Sequence, residues 1–156
     1  MNNIFQTLLY QREKKKDTVL ATIVWDDGSA PRGAGSQMLV GAEGLLSGTI
    51  GGGAVELRSI QLARALLAGQ HVDALYDFKL SRDGELGMAC GGDVTVLFTP
   101  AQLSDRVWDA LAAEVLRCVR DRVPGWLVLP LDGAAPHIAE TAETGEGVFS
   151  MPLPVG

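Results

Sequence analysis

Cysteine and histidine are scarce in this chain of 156 residues, which holds only Cys90, Cys118, His71 and His137. No CxxC pair is present and the histidines lie far apart, so the spacing argues against a structural zinc site. Positive charge is also in short supply: 13 Lys and Arg against 19 Asp and Glu leave a net charge of −6. A sequence-wide basic footprint is therefore missing, and nucleic acid is not an expected partner. The N-terminus has neither an apolar signal region with a cleavage site nor a membrane-spanning run, so the expectation is a cytoplasmic protein with no membrane-spanning segment and with reduced thiols. Several catalytic signatures are missing as well. The glycine-rich stretch lacks the Lys-Ser/Thr pair of a P-loop, GxGxxG is not met around Gly48 to Gly53, and no serine sits in a GxSxG elbow.

What is present is ordinary globular composition, 47% hydrophobic and 21% charged, enough for one core without staples. Residues 3 to 15 read as a helix with Ile4, Phe5, Leu8 and Leu9 on one face, and the run REKKK at Arg12 to Lys16 reads as its solvated end. Thr18 to Trp25 is an apolar, β-branched run of strand length. Ser36 to Val40 and Leu45 to Ile50 flank Gly41 to Gly44 and read as a hairpin with Gly44 in a left-handed conformation. Ala54 to Ala68 reads as a helix with a stripe of Ile60, Ala63 and Leu67, stopped at Gly69. Val72 to Leu80 and Asp93 to Thr99 read as strands, the second ended by Pro100. Leu103 to Asp121 reads as a helix that carries Cys118 on its core face, and Gly125 to Leu131 as a short strand. Together these predict a single α/β domain, a mixed β-sheet of about five to six strands with two to three packed helices.

Two glycine clusters mark the places where chemistry is expected. In GTIGGGAVE, Gly51, Gly52 and Gly53 sit between a strand-like run and a helix-like one. Such a turn permits positive φ and leaves backbone N–H groups at a helix start free to face an anion, or it simply turns the chain. Glu56 falls in the first turn of the helix, where a carboxylate favours the dipole. In GMACGG, Cys90 is followed by Gly91 and Gly92, a setting that favours a thiolate, the nucleophilic and metal-binding form, or else a small residue in a tight turn. Arg32, the only basic residue between Lys16 and Arg58, lies in the loop GSAPRGAGS, where a guanidinium matches a phosphate or carboxylate. Asp26 or Asp27 either orients it or makes the turn.

The stretches GSAPRGAGSQMLV at Gly28 to Val40, GTIGGGAVE at Gly48 to Glu56 and LGMACGG at Leu86 to Gly92, in this order, resemble the N-terminal domain of the XdhC/CoxI family, the xanthine dehydrogenase accessory proteins. The resemblance implies a protein that binds molybdenum cofactor (molybdopterin) transiently and protects it while a cysteine desulfurase installs the terminal sulfido ligand. It then passes the cofactor to the apoenzyme of a molybdenum hydroxylase of the xanthine or CO dehydrogenase type. On that reading the protein is an accessory chaperone rather than an enzyme. Arg32, Gly51, Gly52, Gly53, Glu56, Cys90, Gly91 and Gly92 form the cofactor site, with Cys90 facing the metal. A homodimer is a further expectation. Residues 1–100 correspond to the family's N-terminal domain, 101–150 to a helix-plus-strand extension packed on it, and 151–156 to a linker toward a Rossmann-like domain found in full-length relatives. Ala54 stands where many relatives have cysteine, so a two-thiol site is not expected. The competing readings are a thiol-dependent transferase or hydrolase using Cys90, and a partner-binding domain in which the glycines only shape turns.

Overall fold

The computed structural model describes residues 2–26, 33–79 and 93–154. Alternation of apolar side chains along β1 (Thr18–Asp26) sets up the layers, because successive residues of a strand point to opposite faces. Val19, Ala21 and Ile23 go to one core cluster and Leu20 to the other. β2 (Gln37–Gly41) and β3 (Gly44–Gly48) form the expected hairpin, closed by Ala42 and Glu43, with Gly44 at φ 136°. β4 (Leu75–Phe78) and β5 (Val94–Ala101) complete a five-stranded sheet in the order β3-β2-β1-β5-β4.

One face of this sheet is covered by α2 (Gly53–Leu67), the other by α1 (Asn2–Glu13) and α3 (Val107–Arg120). The α1 pattern buries Ile4, Phe5 and Leu8, and α3 buries Trp108, Leu111, Ala112, Val115 and Cys118. Cys118 is thus the core residue that its helical spacing predicts. On α2 the buried face is Val55, Ser59, Leu62 and Ala63, with Ile60, Leu66 and Leu67 partly covered beside it. The expected α/β single domain with about five strands and three helices is what forms. Its strand pairs, however, are all antiparallel rather than mixed. The reason is that α2 carries the chain from β3 across the whole face to β4 at the opposite edge, so no parallel neighbour is created.

Two further departures have local causes. Pro100 does not end β5 but pairs with Val19 inside it. The N–H of Phe98 donates to the Ala74 carbonyl, and β4 begins at Leu75, so two residues on, the side of β5 where Pro100 lacks a donor has no strand to serve. The C-terminal third adds a second sheet of β6 (Trp126–Pro130), β7 (His137–Ala139) and β8 (Val148–Pro152), ordered β7-β6-β8, where only β6 was expected. Met151 is buried in β8, and Leu153 is core, its N–H donating to the Gly125 carbonyl at 2.9 Å. The expected linker at 151–156 therefore contributes its first residues to the fold. Leu127, Leu129, Met151 and Leu153 join α1 and α3 in one cluster.

The charged run at the end of α1 also needs correction. Lys14, Lys15 and Lys16 are exposed, but Arg12 is only 7% exposed. Its guanidinium donates to Asp109 Oδ1 at 2.7 Å and to the carbonyls of Gln102 and Asp105, each at 2.9 Å. It is the tie between α1 and the start of α3.

Candidate functional site

Strand direction decides which loops meet. Asp26, Gln37, Gly48, Phe78 and Val94 all lie at one end of the five-stranded sheet, as the pairs Thr22–Gln37, Met38–Gly48, Asp26–Val94 and Phe78–Val94 require. At about 4.8 Å between strands, the five ends span roughly 20 Å. Each of the three sequence motifs is attached here. In sequence, the Arg32 motif falls between Asp26 and Gly33, the triple glycine follows β3, and the Cys90 motif falls between Lys79 and Asp93. Arg32 itself, and Cys90, Gly91 and Gly92, lie outside the described residues, as does Asp27.

The anchors are built from specific bonds. Ile23 and Gly35 exchange the chain across β1 through Ile23 N–H to the Ser36 carbonyl, 2.9 Å, and Gly35 N–H to the Ile23 carbonyl, 2.8 Å. The Asp26 carboxylate accepts the N–H of Ala34 at 2.9 Å, so Asp26 helps to close this loop. On the far side, Lys79 Nζ lies 3.6 Å from Asp93 Oδ2.

Gly51, Gly52 and Gly53 have φ of 120°, 73° and 68°, three successive residues in a region that side chains disfavour. A Cβ built on Gly52 or Gly53 meets nothing within 4 Å, so the outer face of the turn is open. Its inner face is filled. Glu56 Oε1 accepts the Thr49 hydroxyl, the Ile50 N–H at 3.0 Å and the Gly52 N–H at 3.2 Å, while the Gly51 N–H reaches Thr49 Oγ1 at 3.1 Å. The turn thus carries its own anion at the positive end of α2. An external anion would meet the N–H groups of Gly53 and Ala54, which, as the first residues of the helix, stand outside its internal ladder. Thr49 escaped the sequence reading because its role depends on a carboxylate seven residues on. Glu56 was visible from the dipole argument alone.

This latch predicts a measurable effect. Glu56→Ala leaves one hydroxyl and two N–H groups without their acceptor and is expected to cost about 2 kcal/mol. Inorganic phosphate should restore part of that loss by taking the carboxylate's place, and should do less for the native protein. Thermal unfolding with and without phosphate reads both. An unchanged melting temperature in the variant would remove the latch.

Elsewhere the described residues offer less chemistry. A cavity of about 570 Å³ between α3 and β7 is lined largely by apolar groups such as Val107, Leu111, Val123 and Ile138, with Cys118 at its wall. Burial pushes the Cys118 thiol above its ordinary range, which disfavours the nucleophilic thiolate. His71 pairs with Asp73 and His137 with Glu143, both exposed. Among the described residues no group of three His, Cys, Asp or Glu side chains is placed to hold a metal ion, and no helix is long and apolar enough to cross a membrane.

Residues 11–78 match the family described as the XdhC and CoxI family. The chain is 33% identical over 119 residues to an Escherichia coli (strain K12) protein named YqeB and described as uncharacterized; the match covers 75% of this chain and 22% of that protein. A solved structure titled a xanthine dehydrogenase from Bacillus halodurans shares the fold with a TM-score of 0.68 at 18% identity, over 96% of this chain and 52% of that one. The chain therefore spans about a fifth of the first relative and half of the second.

Proposed function

Because the chain belongs to the XdhC and CoxI family, matched over residues 11–78, we propose that it is a molybdenum-cofactor-binding accessory protein. It holds the cofactor as cargo on its way to a molybdenum hydroxylase apoenzyme and has no turnover of its own. The observation that carries this reading is the attachment of all three motif segments at one end of one sheet. A ligand with an anionic end and a soft metal end needs such a convergence, since Arg32, the glycine turn and Cys90 are far apart in sequence.

The described residues fit the anionic end in one way. The inner N–H groups of the turn belong to Glu56, so a phosphate is received on the open outer face, by the N–H groups of Gly53 and Ala54. In this reading Arg32 adds the bidentate counter-charge. Cys90, between its glycines, presents a soft thiolate toward the metal, which carboxylates would suit less well. The cargo supplies the molybdenum and the ligand position that a cysteine desulfurase modifies. The protein's part is to bind it, orient it and shield it in the cytoplasm, as a monomer or a homodimer.

Anaerobic incubation with molybdenum cofactor, followed by separation of bound from free pterin, tests the reading. The native chain should retain about one equivalent, and Arg32→Ala and Cys90→Ala should each weaken retention roughly tenfold or more, the loss expected for one charge-assisted contact. A folded native chain that retains none, or variants that both retain as much as native, would reject it.

A further inference from the structure

Along β1 the alternation that sends Ile23 into the core beneath α2 would send Trp25 there too, opposite the buried Val94. It does not arrive there. The register of β1 on β5 slips between Ile23 and Trp25, so Trp25 pairs with Thr95 and Asp26 takes the place opposite Val94. A bulge of this kind re-aims a side chain. Thr95 lies two residues from Leu97, which belongs to the core under α1 and α3, so the bulge has moved Trp25 to that face of the sheet. On that face Trp25 is 51% exposed, whereas Trp108 is buried and Trp126 half-buried.

The same row continues onto β4. Asp77 pairs with Thr95 and is exposed, and its Oδ1 accepts the Thr95 hydroxyl at 2.7 Å. An ionised carboxylate has about four acceptor positions, so Asp77 keeps both oxygens available to a ligand. The next residues outward on this face, Lys79 and Asp93, answer each other at 3.6 Å, which leaves Asp77 as the charge that the row presents. Two strand spacings of about 4.8 Å put Trp25 and Asp77 roughly 10 Å apart along the row. That is room for a bicyclic ring laid on the indole with one edge at the carboxylate. Leu75, two residues before Asp77 and also exposed, extends the apolar floor on the same face.

We propose that Trp25 and Asp77 form the seat of a planar heterocycle that carries a ring N–H beside an exocyclic amino group, with the ring stacked on the indole and the two donors on the carboxylate. Two adjacent N–H donors in one plane match the two oxygens of a carboxylate as a guanidinium does. A flat π-system of this kind also stacks on tryptophan. The 2-amino-4-oxo pyrimidine edge, shared by pterins and guanine, carries the donor pair. The row lies at the end of the sheet to which all three motif segments attach. The choice of pterin, the ring of the cargo, rests on the function proposed above; the stacking platform and the reading of a donor pair rest on the row itself.

Quenching of tryptophan emission by free pterin, titrated into the full chain, is the test. Native protein should be quenched saturably, and Trp25→Leu should lose the quenching although Trp108 and Trp126 remain. Asp77→Asn should bind about tenfold more weakly or worse, because one acceptor oxygen becomes a donor facing the ligand's own donors. Lumazine, the same bicycle with a carbonyl at C2, lacks the donor pair and should bind native protein about tenfold more weakly or worse, an arm that needs no variant. Thermal melts establish that both variants fold. No saturable quenching, equal binding of pterin and lumazine, or quenching that survives Trp25→Leu overturns the seat. Tighter binding of N-acetylarginine amide than of pterin also overturns it, assigning the indole and carboxylate to a guanidinium of a protein partner. Guanine binding more tightly than pterin keeps the seat and overturns the choice of pterin. If native and Asp77→Asn protein retain whole cofactor equally, the seat is not the cargo's and this proposal falls while the accessory function stands. If free pterin binds through Asp77 while whole cofactor is not retained, the seat holds and the accessory function falls.

Discussion

Arg12→Leu is expected to destabilise the protein by roughly 3 kcal/mol, although nothing near Arg12 in the chain sets it apart from its cationic neighbours. The cost does not come mainly from its ion pair, because Asp109 is half-exposed and such pairs contribute little. It comes from the carbonyls of Gln102 and Asp105, which lose their guanidinium donor where α1 meets α3. Arg12→Lys should recover only part of the loss, since an ammonium cannot span the same forked set of acceptors. Urea unfolding at neutral pH measures both variants. The acid limb adds a second readout. The hydrogen bond from Arg12 holds the Asp109 carboxyl below its ordinary range, so the folded-state pKa is the depressed one. That part of the stability is complete above the unfolded carboxylate value, near 4, and is lost as pH falls through the lower folded value. The gap between native and Arg12→Leu should therefore narrow below about pH 4 without closing, because the two backbone carbonyls do not titrate. A variant as stable as native at pH 7 would show that α1 is held by its apolar face alone.

Arg12 also marks where sequence reasoning stops. Its local pattern, one arginine opening a run of charge, is that of a solvated helix end, and only the docking of α3 some ninety residues later buries it. Elements whose signals are local were legible: the β-branched run of β1, the hairpin with its glycine, the end of α2 at Gly69 and the apolar stripe of α3. Elements defined by their partners were not. β7 has only three residues and β8 ends in a proline, and both exist because β6 pairs with them. The candidate site divides in the same way. The order of the three motifs was readable, whereas their attachment at one end of the sheet depends on strand order.

Gly48→Ala should be the most damaging change at the site, combining backbone strain with a steric clash at about 4 kcal/mol or more, whereas Gly52→Ala, four residues on, should cost the backbone strain alone, about 2 kcal/mol. Both residues have positive φ, 81° and 73°, and Gly52, with ψ −169°, lies in a region essentially reserved for glycine, so each substitution carries backbone strain. They differ in what a methyl group would strike. At Gly48 it would lie 2.5 Å from the Gln37 carbonyl oxygen, 2.8 Å from Ile4 Cδ1 and 3.1 Å from Met38 Cα; at Gly52 it meets nothing within 4 Å. Ile4 is a flexible neighbour, but the Gln37 carbonyl is fixed by the Thr49 N–H at 3.1 Å and cannot yield without opening the hairpin. Denaturant unfolding of the two variants separates these effects, and equal losses would show that the close approach relaxes freely. Ligand binding should sort them in the opposite sense relative to stability. In Gly52→Ala protein the packing around the turn is undisturbed, yet a methyl group occupies the open face on which an anion is received, so cofactor retention should fall by more than the stability change explains. In Gly48→Ala protein retention should fall only as far as the folded fraction does at the glycine turn. One glycine brings β2 and β3 together closely enough to launch the turn, and the next ones keep its outer surface clear.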